Sequence, residues 1–294
     1  MKLGIIYRTR PSEQLTIEQI FQRISSMGFE AIEIWVPPRA GSSMIEMPLK
    51  AEEIEEIKGA ASKYNVTVSA LSCHINHLQP NLEERKQLSQ FFKDVLTASS
   101  QLGVPVVTTL SGDPLPEKSD DETWSEWRHE MGQQVDYATN LGVKIAVESC
   151  HDQNLAHNVP AMDRMFKEIP SKTLGVNFDP SHCVWQGINY IKAVKLWRDR
   201  IYHAHAKDAE ILRDVLELDG IQGVKIVDLF GRKLKRPSWW RFRTPGWGEV
   251  DWRKLLTTYK EIGYDYVISL EHEDPVFTPE EAARRTIAFL KQLL

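Results

Sequence analysis

The 294-residue chain alternates short apolar runs with amphipathic stretches, and this alternation restricts the possible folds more than any other feature. Short apolar runs are typical of strands that are buried on both faces of a parallel sheet. The predicted strands are Leu3–Tyr7, Ala31–Val36, Thr67–Leu71, Pro105–Leu110, Lys144–Val147, Leu174–Phe178, Ile201–Ala206 and Tyr266–Leu270. Eight strand–helix alternations in a chain of this length favour an α/β fold, the (β/α)8 TIM barrel, as one domain over residues 1–294.

A doubly wound open sheet is the competing architecture. Such a sheet normally carries a glycine-rich phosphate-binding turn after its first strand. The corresponding segment here is Tyr7-Arg-Thr-Arg-Pro11, which has no glycine. We therefore predict the closed barrel.

Capping signals mark the ends of several predicted helices. Thr16-Ile-Glu-Gln19 and Ser119-Asp-Asp-Glu122 have the capping-box pattern, and predict helices that run to about Met27 and toward Leu141. Thr278-Pro-Glu-Glu281 adds a proline at the first helical position and predicts the start of the last helix. Four glycines have the spacing of helix C-caps, namely Gly28, Gly103, Gly142 and Gly263.

Composition restricts the location and the partners. The formal net charge is −5, from 36 basic and 41 acidic residues, which argues against a general nucleic-acid-binding surface. No apolar run approaches the roughly 18 residues that a membrane span requires, and Lys2–Tyr7 is more typical of a strand than of a signal peptide. Cys73, Cys150 and Cys183 are odd in number and lack CxxC spacing, so we interpret them as packing residues. These features predict a cytoplasmic protein without a membrane segment.

Carboxylates and histidines follow most of the predicted strands, where barrel enzymes keep their catalytic side chains. In chain order these residues are Glu33, His74, Asp113, Glu148, Asp179, His205 and Glu271. The last four follow consecutive strands, so their side chains can converge on one point. Three carboxylates and one imidazole suit a divalent cation, with Mn²⁺ favoured over Mg²⁺, Co²⁺ or Zn²⁺. For any one of them alone, the alternative is a helix-capping carboxylate or a buried structural histidine.

The chain resembles the xylose isomerase-like TIM barrels, the sugar (phosphate) isomerase/epimerase superfamily that includes ketose 3-epimerases and inosose dehydratase. The resemblance covers nearly the whole chain and rests on Asp179-Pro-Ser-His182, His203-Ala-His-Ala-Lys-Asp208 and Leu270-Glu-His-Glu-Asp-Pro275. By position, it implies that Glu148, Asp179, His205 and Glu271 bind the metal and that His182 contacts the substrate. It also implies that the two glutamates transfer the proton, as they do in the ketose epimerases.

These residue types fit removal of a proton next to a carbonyl group. The reaction requires a base and a positive charge that stabilises the enediolate, and a carboxylate on each face of the carbon allows inversion. Ketose 3-epimerases carry an arginine six residues after the histidine ligand, where this chain has Ile211. We therefore expect a metal-dependent isomerase or epimerase that acts on a keto-sugar or keto-glycoside. Dehydration of an inosose, a cyclic polyol ketone, starts with the same step and is the alternative.

Other polar and aromatic residues at the strand ends are predicted substrate contacts: Lys207, His74, His151 and Trp35. Lys207 has the alternative of a surface lysine that pairs with Asp208, and His74 that of a buried structural histidine. His203 shares a strand face with His205 and could replace it as ligand. Glu273 could likewise replace Glu271, or support it from outside the ligand set.

Residues 209–250 form the longest segment without a regular pattern, which we interpret as a βα loop that acts as a lid or an interface arm. Trp239, Trp240, Trp247 and Trp252 lie in or next to its aromatic, basic part. Tryptophan rings stack on sugars, so Trp239 is a predicted substrate contact. The alternative is packing on the barrel or on a second subunit in a homo-oligomer, with Trp247 favoured for packing. Gly246 and Gly248 are predicted turn or hinge residues.

The same segment leaves other functional classes open. Six basic residues lie among its aromatics, as in nucleic-acid grooves: Arg232, Lys233, Lys235, Arg236, Arg241 and Arg243. The superfamily includes metal-dependent abasic-site endonucleases, but these need further histidines for a multi-zinc cluster, and only Glu33, His74 and His77 are available. A sugar-phosphate substrate and a non-catalytic barrel subunit are further alternatives.

Overall fold

Eight parallel strands close into a barrel in the computed structural model, which describes residues 1–8, 15–38, 43–152, 154–229 and 232–294. The barrel strands are β1 (Lys2–Tyr7), β2 (Ala31–Trp35), β3 (Thr67–Ser72), β4 (Val106–Thr109), β5 (Lys144–Glu148), β6 (Leu174–Phe178), β7 (Ile201–Ala206) and β12 (Val267–Leu270). Around the barrel their order is β1-β12-β7-β6-β5-β4-β3-β2. The predicted (β/α)8 barrel is therefore confirmed, and each predicted strand lies on a barrel strand. The turn Tyr7–Pro11 lies largely outside the described residues.

The helices are α1 (Ile17–Met27), α2 (Ala51–Tyr64), α3 (Leu82–Leu102), α4 (Asp120–Leu141), α5 (Val159–Glu168), α6 (Pro180–Gln186), α7 (Tyr190–Leu196), α8 (Arg213–Asp219), α9 (Trp252–Glu261) and α10 (Pro279–Leu290). The capping boxes at Thr16, Ser119 and Thr278 are all present and begin α1, α4 and α10. Gly28, Gly103 and Gly142 are left-handed C-caps, whereas Gly263 follows the C-cap of α9 by one residue. None of the helices in the described ranges is long and apolar enough to cross a bilayer.

The core lies between the strands and the surrounding helices. Helix α1 shows how the sequence builds it, because Ile20, Phe21 and Ile24 fall on one face and are buried. Cys73, Cys150 and Cys183 are free and fully buried, which agrees with their interpretation as packing residues. The barrel interior also contains buried polar side chains, among them Glu33, His203 and His205.

The segment 209–250, which we call the insertion, is not irregular as predicted. It contains α8 and two antiparallel ribbons: β8 (Asp208–Ile211) pairs with β11 (Trp240–Arg243), and β9 (Val224–Leu229) pairs with β10 (Arg232–Pro237). Both ribbons are short and carry charged residues between apolar ones. Their sequences therefore lack the continuous apolar runs from which the buried barrel strands were predicted.

Asp208 fastens the two ends of the insertion together. Its Oδ1 accepts hydrogen bonds from the backbone N–H of Ala209 (2.9 Å) and Val250 (3.0 Å). Its Oδ2 accepts from the N–H of Gly246 (3.0 Å) and from Trp252 Nε1 (2.9 Å). Asp208 is thus engaged inside the insertion and is not the partner of Lys207.

Gly248→Ala is expected to destabilise the protein by about 1–3 kcal/mol, because the added methyl group overpacks the turn at Asp208. A Cβ atom at this position would lie 2.2 Å from Asp208 Oδ1 and 2.5 Å from the Ala209 carbonyl oxygen. Denaturant unfolding measures the effect. Gly132→Ala in α4 is the matched control, since its Cβ would meet no atom within 4 Å and should not destabilise. Equal effects of the two substitutions would contradict this account of the turn.

Candidate metal centre at the carboxyl end of the barrel

Four side chains converge at the carboxyl ends of four neighbouring strands. Glu148 is the last residue of β5, Asp179 follows β6, His205 lies on β7 and Glu271 follows β12. One ligand atom from each lies within 4.8 Å of the others, and all four side chains are buried. We call these residues the tip cluster.

The tip cluster has buried ligand atoms that make no hydrogen bond within the described residues. His205 Nδ1 lies 3.3 Å from Glu148 Oε1, 3.5 Å from Asp179 Oδ2 and 3.2 Å from Glu271 Oε2. Glu148 Oε1, Asp179 Oδ2 and His205 Nδ1 are buried and make no hydrogen bond within the described part of the chain. Buried polar atoms rarely lack a partner. A divalent cation among these atoms would satisfy all three, and carboxylate–imidazole donor sets suit such ions.

Asp179 shows how the local sequence presents a ligand. It is the N-cap of α6, and its Oδ1 accepts hydrogen bonds from Ser181 N (2.8 Å) and Ser181 Oγ (2.6 Å). Pro180 occupies the first helical position, where no N–H is needed. The capping bonds fix the carboxylate so that Oδ2 faces the tip cluster. The capping and metal-ligand interpretations of this residue are therefore compatible.

The electrostatics favour ionised carboxylates. Burial alone would raise the pKa of Glu148, but His74, His182 and His205 hold it well below its usual range. Burial opposes ionisation of Glu271 as well, but Lys207 and His205 hold its pKa well below the usual range. The tip cluster thus keeps negative charge, as a cation site must.

Lys207 reaches into the tip cluster and is almost fully buried. Its Nζ donates a hydrogen bond to Glu271 Oε2 (2.6 Å) and lies 3.0 Å from Asp179 Oδ2 and 3.4 Å from Glu273 Oε2. Burial lowers the pKa of Lys207, but these carboxylates raise it well above the usual value. The ammonium group therefore offsets part of the negative charge of the tip cluster and occupies a position beside it.

The predicted substrate contacts at neighbouring strand ends surround the tip cluster. His182 Nε2 lies 3.3 Å from Glu148 Oε1, and the ring of His151 lies 4.5 Å from that of His182. His74 Nδ1 lies 3.5 Å from Glu148 Oε2, and its ring makes an edge contact with Trp35 at 5.2 Å. These residues share one rim, and their contact with a substrate stays a prediction.

Arg8 belongs to this rim and was missed in the sequence. Its guanidinium group pairs with Glu271 Oε1, lies 3.9 Å from Glu273 Oε1 and stacks over the Trp35 ring at 4.8 Å. The only available signal was its position directly after the first strand. Glu273 contacts Lys207 and Arg8 from outside the tip cluster. This position agrees with the alternative in which Glu273 supports Glu271 without being a ligand.

An aromatic wall from the insertion covers one side of the tip cluster. The ring of Phe242 lies 4.4 Å from Lys207 Nζ and 5.4 Å from the His182 ring. Trp240 packs edge-on against Phe242 at 4.8 Å and stacks on Trp185 at 4.8 Å with an interplanar angle of 4°. Phe242 was also missed, although it follows Trp240 at the two-residue spacing of a strand face.

The other tryptophans of the insertion have different surroundings. Trp239 Nε1 donates a hydrogen bond to the Ile221 carbonyl (3.2 Å), so its ring is held within the insertion. Trp247 packs edge-on against Phe277 at 5.5 Å, which confirms its predicted packing role. Gly246 has a φ of +88°, as predicted for a turn residue. The substrate contact of Trp239 stays a prediction.

Several basic residues of the insertion are engaged in ion pairs. Arg236 pairs with Asp152 at 2.7 Å, and Arg241 and Arg243 pair with Glu210 at 2.7 and 2.5 Å. Lys233 and Lys235 are exposed, and the side chain of Arg232 lies outside the described part. These pairs hold the insertion to itself and to the loop after β5, so Arg236, Arg241 and Arg243 are already paired with carboxylates.

The outer side of the insertion exposes large apolar residues: Leu218, Ile221, Val224 and Ile226 are each at least 60% exposed. Its inner side contributes Phe242 to the wall of the tip cluster. The insertion therefore has one surface suited to a lid over the tip cluster and another suited to an interface with a second subunit. The homo-oligomer stays a prediction.

Fold and site together define a (β/α)8 barrel with a candidate divalent-metal site at the carboxyl end of its strands. The family model of the xylose isomerase-like TIM barrel matches residues 21–293, so this chain belongs to that family. The family resemblance stated from the sequence motifs is thereby confirmed.

Two relatives match over most of their length. The uncharacterised protein YfiH of Bacillus subtilis is 27% identical over 325 aligned positions, which cover 100% of this chain and 99% of the relative. The inosose dehydratase of Clostridium perfringens is 21% identical over 290 positions, which cover 94% of this chain and 90% of the relative.

Solved structures share the fold. The apo form of the 3-keto-D-glucoside 4-epimerase YcjR from E. coli has a TM-score of 0.72 and 18% identity, with 99% of both chains covered. The IolI protein, solved with a bound zinc atom, has a TM-score of 0.71 and 19% identity, covering 100% of this chain and 98% of that chain. At these identities the likeness shows the fold alone.

Proposed function

We propose that this protein is a divalent-metal-dependent sugar isomerase or epimerase that moves a proton at a carbon next to a carbonyl group. The observation that carries this proposal is the convergence of three buried atoms that make no hydrogen bond within the described residues, Glu148 Oε1, Asp179 Oδ2 and His205 Nδ1, beside Glu271 Oε2. The bound zinc of the IolI structure supports a metal in this fold. We favour Mn²⁺ because oxygen donors outnumber nitrogen in the set.

Glu148 and Glu271 are the proposed proton-transfer groups. Their strands β5 and β12 are separated around the barrel by β6 and β7, so the two carboxylates approach the tip cluster from opposite flanks. One carboxylate can remove the proton while the other returns it to the opposite face of the carbon, which inverts the configuration. Both groups are held ionised, which is the state that a carboxylate needs in order to act as a base.

The surrounding residues are proposed to bind and orient the substrate. A cation held by the tip cluster would supply positive charge to the substrate oxygens as negative charge develops on them. Lys207 can donate a hydrogen bond to one of those oxygens, and His182 can bond a neighbouring hydroxyl. Phe242 excludes water from this side and offers a flat apolar face to the C–H groups of a sugar ring.

A keto-glycoside is the favoured substrate. The aromatic wall provides apolar surface for a ring beyond the reacting carbon, and the structural relative YcjR is a 3-keto-D-glucoside 4-epimerase. Dehydration of an inosose is the second candidate, which the relatives named inosose dehydratase favour. Both reactions begin with the same proton abstraction. They differ in whether the proton returns to the carbon or a neighbouring hydroxyl leaves as water.

Phe242→Ala is expected to raise KM for a keto-sugar by about tenfold or more, because it removes most of the apolar area of the wall. The effect on kcat should be smaller, since no proton-transfer group changes. Steady-state kinetics on the variant give both constants. Trp239→Ala is the matched comparison: an equal or larger rise in KM there would place the sugar contact at Trp239 and contradict the role given to Phe242.

The proposed function is tested by hydrogen exchange at carbon. The Mn²⁺-loaded protein is incubated in D₂O with ketoses, 3-keto-glycosides and inosose, and the C–H signals are followed by NMR after the Mn²⁺ has been chelated. We expect loss of one C–H signal in a keto-sugar, together with an epimer or isomer as product. An unsaturated product would instead show the dehydratase. No exchange in any substrate, with the metal shown to be bound, would contradict proton abstraction.

A further inference from the structure

His205 has two ring nitrogens that face different surroundings. Nδ1 faces the carboxylates of the tip cluster at 3.2–3.5 Å. Nε2 points into the barrel interior, where it lies 3.3 Å from Glu33 Oε2 and 3.0 Å from Asn177 Nδ2. A histidine that binds a metal through one nitrogen must carry its proton on the other. The groups around Nε2 therefore control whether Nδ1 is available to a cation.

Glu33 is a carboxylate at the centre of the barrel, with no exposed surface. It lies on β2, across the barrel from β7, and its Oε1 accepts a hydrogen bond from Thr108 Oγ1 at 3.0 Å. Its Oε2 makes no hydrogen bond within the described part of the chain and is directed at the two histidines of β7, with His203 Nδ1 at 3.8 Å. A buried carboxylate costs stability unless it is paired. The partners within reach of Oε2 are the two histidines of β7.

Asn177 shows why His205 needs a carboxylate beside Nε2. Its amide lies between the two histidines, with Oδ1 3.1 Å from His203 Nδ1 and Nδ2 facing His205 Nε2. An amide N–H at Nε2 donates to it and leaves the ring proton on Nδ1, where a cation cannot bind. An ionised carboxylate can only accept, so it requires the proton on Nε2. The two neighbours thus favour opposite tautomers. The amide lies nearer, at 3.0 Å against 3.3 Å for Glu33 Oε2, but an ionised carboxylate attracts the ring N–H more strongly than a neutral amide attracts the lone pair.

We infer that Glu33 is a positioning residue that holds the His205 proton on Nε2 and leaves the Nδ1 lone pair for the metal. This inference rests on the proposed metal site and extends it to a residue on β2, which β1 and β12 separate from β7. Carboxylates that accept from the second nitrogen of a metal-bound histidine fix the orientation of the ring and raise its basicity. Glu33 acts through His205 and does not itself contact the substrate.

The test uses Zn²⁺, which is diamagnetic, and the full-length protein labelled with ¹⁵N in histidine. Long-range ¹H–¹⁵N correlation spectra of the Zn²⁺-loaded protein should show His205 bound through Nδ1 and protonated at Nε2. This measurement needs no substitution, so it does not depend on the folding of a variant. Binding of Zn²⁺ through Nε2 would overturn the inference while leaving a metal site in place.

Glu33→Gln is expected to weaken Zn²⁺ binding by about 10- to 100-fold in calorimetric titration, because an amide no longer requires the proton on Nε2. Ser69→Ala is the matched control: its Oγ contacts His203 at 3.2 Å in the same interior layer but does not contact His205. That variant should bind Zn²⁺ as the wild type does. If Glu33→Gln also binds normally, the inference is wrong and the proposed function stands. If the wild type binds no Zn²⁺, both are wrong.

Discussion

Glu148→Gln and Glu271→Gln should each lower turnover by about 10²- to 10⁴-fold, the usual contribution of a general acid or base. Glutamine keeps the size of the side chain and one oxygen for the metal, but it cannot take up the substrate proton. The tip cluster should therefore lose proton transfer before it loses its geometry. Steady-state kinetics on the keto-sugar substrate measure the loss, and circular dichroism with thermal melts shows that the barrel is retained.

Glu273→Gln is the matched control for these two variants. Glu273 lies on the same segment as Glu271 and contacts Lys207 at 3.4 Å, but it is not among the four residues of the tip cluster. Its replacement should change turnover by less than about tenfold, as expected for a residue that acts through a neighbour. Near-normal turnover in either tip-cluster variant would show that the two-glutamate mechanism is wrong.

Removal of the metal should abolish hydrogen exchange while the protein stays folded. Lys207 and His205 offset part of the carboxylate charge, so repulsion among the carboxylates should not unfold the metal-free protein. Stability should still fall, because a cation at 100 times its Kd stabilises the native state by about 2.7 kcal/mol. For a chain of 294 residues, the corresponding fall in Tm is about 4 °C.

The measurement is a pair of scanning-calorimetry and exchange experiments before and after treatment with a chelator, followed by addition of Mn²⁺. Recovery of both Tm and exchange on addition of Mn²⁺ separates metal loss from irreversible damage. Full exchange activity in protein that contains no metal by elemental analysis would contradict the metal-dependent reaction.

The barrel could be predicted because its signals are local. Most barrel strands are short, largely apolar runs, and capping residues such as Thr16 and Ser119 mark helix starts within a few positions. The residues of the tip cluster could be found for a related reason. Parallel strands bring their carboxyl ends to one edge, so residues after successive runs must lie close together even when they are far apart in sequence.

The missed residues lack such local signals. Arg8 pairs with Glu271, which lies 263 positions away in the chain, and an arginine after a strand has no fixed partner in the sequence. Phe242 faces the tip cluster because β11 pairs with β8, and that pairing depends on the anchoring of the insertion at Asp208. The ribbon β9–β10 was missed because a sequence such as Val-Lys-Ile-Val-Asp-Leu at 224–229 combines a short apolar pattern with charges. Tertiary contacts supply the stability of these elements.

Glu148, Asp179, His205 and Glu271 are proposed to hold one divalent cation. Anomalous diffraction from crystals soaked in Mn²⁺ shows directly whether they do. One strong anomalous peak is expected, bonded to Glu148 Oε1, Asp179 Oδ2, His205 Nδ1 and Glu271 Oε2, with Lys207 Nζ outside the coordination sphere. A fully soaked crystal without a peak there, in which Lys207 remains hydrogen-bonded to Glu271 and ion-paired with Asp179, would contradict the proposed metal site.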